Sequence, residues 1–135
     1  MIIVVLETMW DWRAMTSSAG YAQAPRFFTI HPENFSGRRL HGLLDPHRFL
    51  VTNACRELVN HATRHGKPDP VWLAENLASR EAKLILLCGA VAHQTYLDCG
   101  FEASCPVLVG RHPAARNWTR EQLAEARKQI HDRLR

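Results

Sequence analysis

A chain of 135 residues is the size of one domain, and residues 1–135 are expected to form one. Hydrophobic residues at 46% and charged residues at 22% exclude a disordered or collagen-like polymer, and no apolar run approaches the ~20 residues of a membrane span. The formal charge of +4, from 17 basic and 13 acidic residues with 8 neutral histidines, is a mild bias toward polyanions.

Ile2–Leu6 is a continuous aliphatic run, β-branched at four of its five positions, which predicts a strand buried on both faces. Met1 leads into it with no basic segment, so no secretion signal is expected and the chain reads as cytoplasmic. From Glu7 to about Ser36 there is no clean period, and Gly20, Pro25 and Pro32 punctuate a long aromatic-rich loop. Ser36 to Leu44 predicts a short helix with Ser36 as N-cap and Leu40, Leu43 and Leu44 on one face, stopped by Asp45-Pro46.

Arg48–Thr52 predicts a second strand. Residues 53–65 then place Cys55, Leu58, Val59 and Ala62 at helical spacing, with Asn53 a candidate N-cap and Gly66 just past the end. Asp69-Pro70 is an N-cap followed by proline at the first helical position, and that helix runs to about Ser79. Lys83–Cys88 is the third strand, Ala90–Asp98 a helix closed by Gly100, and Pro106–Val109 the fourth strand. Thr119-Arg120-Glu121-Gln122 is a capping box, opening a helix with Leu123, Ala126 or Arg127, Ile130 and Leu134 on one stripe.

Strands alternating with helices predict a three-layer α/β/α fold with a central four-stranded parallel sheet. Cys55, Cys88, Cys99 and Cys105 form no CxxC pair and read as structural residues. His61 and His65 stand four apart with no third ligand nearby, so neither a metal nor another cofactor is expected.

Ligands of such sheets bind at the carboxyl ends of the strands. Those ends deliver Glu7, then Thr52-Asn53, then Cys88-Gly89-Ala90, then Arg111-His112-Pro113. An acid, an amide, a close-approach glycine and an imidazole therefore converge by topology.

At these ends the sequence resembles the uracil-DNA glycosylase superfamily. Val51-Thr52-Asn53-Ala54 is similar to its "TN" strand end, and Leu86-Leu87-Cys88-Gly89-Ala90-Val91-Ala92 to its "LG-x-x-A" strand and helix start. His112-Pro113-Ala114-Ala115 resembles its His-Pro signature, and Ser36-Gly37-Arg38-Arg39-Leu40 its small-Gly-x-x-Leu helix opening. The first motif departs: where the family has a Gly/Pro-containing turn, this chain reads Leu6-Glu7-Thr8-Met9-Trp10-Asp11.

The resemblance implies a DNA glycosylase that flips a uracil, or a modified or mismatched base, out of DNA and hydrolyses its N-glycosidic bond. It implies catalytic roles for His112 and for Glu7 or Asp11, base reading by Asn53, and stacking by Phe28 or Phe27. It implies DNA contacts at Ser36, Arg38, Gly89, Arg111, Arg116, Asn117 and Trp118, with Arg116 or Trp118 filling the vacated stack. The implied partner is single- or double-stranded DNA, bound by a monomer without a membrane. Two rivals stand beside it. One is a catalytically inactive nucleic-acid or nucleotide-binding module of the same fold; the other is a different small α/β enzyme acting on nucleosides or nucleotides.

Overall fold

The computed structural model describes residues 1–8, 25–57, 67–115 and 117–135. In chain order its elements are β1 (Ile2–Leu6), α1 (Phe35–Leu44), β2 (Phe49–Asn53), α2 (Pro70–Ala78), β3 (Leu84–Cys88), α3 (Ala90–Cys99), β4 (Val107–Gly110) and α4 (Arg120–Arg133). The strands form a single four-stranded sheet in the order β2-β1-β3-β4, parallel throughout.

Strand alternation sorts the core into two layers. Ile2, Val4 and Leu6 of β1 pack on one face with Leu40, Leu43 and Leu44 of α1 and Ile130 of α4. Ile3 and Val5 face the other way, against Leu73 and Leu77 of α2 and Ala92 of α3. Both faces of β1 are buried, which is why its sequence is a continuous apolar run rather than an alternating one. The chain leaves β1 toward β2 in one direction and then builds β3 and β4 in the other. That reversal opens a crevice beyond the carboxyl ends of β1 and β3.

Several local signals act as the sequence indicates. Asp69 caps α2 by accepting the Trp72 N–H at 3.0 Å, with Pro70 in the first turn. Thr119 and Gln122 complete the capping box of α4. Gly100 closes α3 in the left-handed conformation. On α4 it is Ala126 that faces the core. Arg127 instead donates to the carbonyls of Gly42 and Asp45 at 2.7 and 2.9 Å, satisfying the open C-terminal end of α1.

Two expectations are corrected. The cap of α1 is Asn34, whose Oδ1 accepts the Ser36 and Gly37 N–H groups; Ser36 lies within the first turn. No helix begins at Asn53, which is the last residue of β2. The Ala54 and Cys55 amides continue along the end of β1, donating to Leu6 O at 2.8 Å and Glu7 O at 3.0 Å, and Cys55 bridges Pro68. The chain from Ala54 to Glu57 stays non-helical, held between β1 and Pro68. The remainder of the predicted 53–65 helix, from residue 58, lies outside the described residues.

Candidate active site

A cavity of ≈ 690 Å³ opens at the carboxyl edge of the sheet, on the α1 side. Leu6, Glu7 and Thr8 form its floor as β1 ends, Phe28 to His31 one wall, Asn34 and Ser36 the start of α1, and His112 and Ala114 the opposite wall. Its size suits a small organic ligand.

His112 follows β4 and is half-buried. Its Nδ1 accepts the Ala114 N–H at 3.0 Å, which places the proton of the neutral ring on Nε2. Burial lowers its pKa below the ordinary 6.5, and the facing Glu7 carboxylate opposes that shift. The side chain is therefore a neutral donor across the physiological range.

Its loop is braced from three sides. Arg39 of α1 donates to Pro113 O at 2.8 Å and also to Ala115 O, while its guanidinium lies 4.6 Å from the Phe35 ring centroid. The Trp118 Nε1–H donates to His112 O at 3.1 Å. At the end of β3, Gly89 donates to Gly110 O at 2.9 Å with φ at +93°, a conformation that disfavours any side chain.

Glu7 lines the cavity as an unpaired carboxylate among the described residues. Its charge reaches both His112 and Cys55, and the Cys55 thiol is pushed up to about 11, chiefly by burial. Burial also pushes Cys88 to about 12, so neither thiol serves as a nucleophile at neutral pH. Asp11, the alternative acid, lies outside the described residues.

Asn53 is fully buried beside Leu6, its partner in the β2–β1 register, and on the same sheet face as Val51. Neither Oδ1 nor Nδ2 has a hydrogen-bond partner among the described residues. It is not among the groups lining the cavity, yet it sits directly behind Leu6, which is. Such an orphaned amide costs ~1–3 kcal/mol, so its presence in the core calls for a compensating role.

The two phenylalanines part company. Phe28 forms an antiparallel bridge with Val51, both hydrogen bonds being 2.9 Å, and lines the cavity. Phe27 packs against the opposite layer, with the Arg80 guanidinium 5.2 Å from its ring centroid.

Ser36 lines the cavity, while Arg38 projects from α1 into solvent outside it. Arg111 and Asn117 are exposed beside the His112 loop, joined by a 3.3 Å bond from the Arg111 guanidinium to Asn117 O. Trp118 packs partly against the α1–α4 layer, its indole N–H donating to the His112 carbonyl. Arg116 lies outside the described residues.

Two participants are absent from the sequence reading. Arg39 has no local signal, since its partners are more than 70 residues away. His31 has one: its His31-Pro32 pair repeats the dipeptide of His112-Pro113.

A family model of the uracil DNA glycosylase superfamily matches residues 15–135. The chain belongs to that superfamily. The resemblance seen at the strand ends is thereby established, and the parallel sheet with its flanking helices is the three-layer α/β/α architecture expected of it. No curated protein matches the chain. The superfamily match begins after β1, so Glu7 and the atypical first motif lie outside it, whereas Asn53, Gly89 and His112 lie within it.

Proposed function

We propose that this uracil DNA glycosylase superfamily member hydrolyses the N-glycosidic bond of a uracil, or of a modified or mismatched base, extruded from DNA. The observation that carries the reading is His112: a neutral imidazole, its Nδ1 engaged by Ala114, facing a carboxylate across a cavity walled by Phe28.

Breaking the bond between the base nitrogen and C1′ builds positive charge on the sugar and negative charge on the departing base. The His112 Nε2–H donates to a carbonyl of the base and stabilises that anion. The Glu7 side chain stabilises the oxocarbenium character at C1′ and orients a water that attacks there, accepting its proton as the new C–O bond forms. The departing base anion takes a proton from solvent. Phe28 stacks on the extruded ring. The superfamily's activity on DNA makes a nucleic acid the natural partner, in keeping with the charge of +4.

A binding module without catalysis is the second reading. It is favoured by the end of β1, where Glu7-Thr8-Met9 lacks the glycine or proline turn of the superfamily.

The deciding experiment is strand scission of labelled oligonucleotides after alkaline treatment. Uracil, hypoxanthine, 5-hydroxymethyluracil and mismatched thymine would be presented in single and double strands. Scission by the wild type that His112→Ala abolishes supports the glycosylase. Silence on every substrate, with DNA binding retained, moves the reading to the binding module.

A further inference from the structure

The chemistry above uses one of two histidines in the cavity. The other, His31, also precedes a proline, and the two turns share one local geometry. The Glu33 N–H donates to His31 Nδ1 at 3.1 Å, just as the Ala114 N–H donates to His112 Nδ1 at 3.0 Å. In both, an amide two residues on occupies Nδ1 and leaves the ring proton on Nε2.

The turns differ in depth. His112 is half-buried and His31 is exposed, at the rim beside Ser36. The backbone of His31 is nevertheless fixed. Its carbonyl accepts the Asn34 N–H at 3.0 Å and lies so close to α1 that a Cβ on Gly37 would come within 2.0 Å of it. A rigid turn thus holds a ring donor where an exposed loop would leave it free.

The acceptor it meets follows from its position. At ≈ 690 Å³ the cavity has room for more than a bare base. With the base held at depth between Phe28 and His112, the sugar–phosphate occupies the rim. Glu7 is the one carboxylate lining the cavity among the described residues, and it belongs to the floor. Glu33 shares the His31 turn but does not line the cavity. The rim group formed by His31 and Ser36 presents hydrogen-bond donors.

Resting on the glycosylase reading, we propose that His31 is a DNA-backbone contact whose Nε2–H donates to the phosphodiester flanking the extruded nucleotide. Phosphate contacts of this kind fix register on the strand rather than reading its sequence.

The test is a thermodynamic cycle read by fluorescence anisotropy. The probe is a labelled single-stranded oligonucleotide carrying a central tetrahydrofuran abasic-site analogue. A second set replaces, one at a time, the two phosphodiesters flanking the analogue with neutral methylphosphonates. Wild type and His31→Ala are titrated with each, and His31→Gln, which retains a donor, accompanies them.

His31→Ala is expected to weaken binding of intact DNA about tenfold, the size of one charge-assisted hydrogen bond. One methylphosphonate should weaken the wild type equally and leave His31→Ala unaffected, with His31→Gln intermediate. Losses that simply add, or no loss on mutation, overturn the contact. Wild-type binding here, with no scission of any base-bearing substrate of the panel above, overturns the hydrolytic reading while the cycle still decides His31. Absence of wild-type DNA binding overturns both.

Discussion

Thr52 and Asn53 are neighbours at the end of β2, both polar and both fully buried, yet they belong to different regions of the molecule. Thr52 faces the α2–α3 layer, where Asn76 Nδ2 donates to its hydroxyl at 3.2 Å. Asn53 faces the α1 layer, with both amide atoms unpartnered among the described residues. On the first face the Thr52 hydroxyl has a partner, while Asn76 Oδ1 beside it has none among the described residues. The other face opens into a cavity at its carboxyl edge. The contrast separates a buried polar group paired within the core from one that the described residues leave unpaired.

The largest expected effect tests the open side. His112→Ala should reduce base excision by about 10²–10³-fold, the range for losing one positioned hydrogen-bond donor to a developing anion, with little change in thermal midpoint. A comparable loss of fold stability, read by thermal denaturation, would instead make His112 part of the scaffold.

Next comes the brace from α1. Arg39→Ala frees the Pro113 and Ala115 carbonyls and should lower kcat about 10–100-fold through misplacement of His112, with Arg39→Lys recovering part of it. Steady-state kinetics on the best substrate of the panel would show this. An unchanged kcat would mean that the loop holds its shape without α1.

The pair itself can be broken by chemical denaturation. Thr52→Val leaves the buried Asn76 amide without its acceptor and should cost ~1–3 kcal/mol. Asn53→Leu removes a group without partners among the described residues and should be neutral, or stabilising by up to ~1 kcal/mol. Equal destabilisation by both substitutions would abolish the distinction between the two faces.

The smallest effect is in pH. Burial sets the native His112 pKa below its unfolded value, so this group's contribution to stability is complete above about pH 6.5 and is lost as pH falls toward the native value. Excision should keep its activity below pH 6.5 and fall once His112 takes a proton and loses the Ala114 bond. Because Glu7 is the charge that raises the His112 pKa, Glu7→Gln should lower it further. An NMR titration of the imidazole resonance would measure both.

Much of this was legible because it is local. The apolar run Ile2–Leu6, the Asp69-Pro70 start and the Thr119 capping box need only neighbours within a few residues to act. The misread start of α1 shows the limit of that logic: Asn34 and Ser36 are both good caps, and the choice between them accompanies the close packing of Gly37 on the His31 carbonyl. The predicted helix from Asn53 failed similarly, since periodicity does not reveal that the Ala54 and Cys55 amides are engaged by β1.

By itself, then, the sequence determined the alternation of strands and helices, the superfamily, and the residues delivered to the strand ends, because each rests on local pattern and chain order. Tertiary structure alone decided which residues share the cavity. Adjacent residues such as Phe27 and Phe28, or Thr52 and Asn53, point to opposite faces of extended chain, but only the packing of helices says which side carries the cavity. It also placed Arg39 against the His112 loop and His31 in the same cavity as His112, joining residues some eighty positions apart.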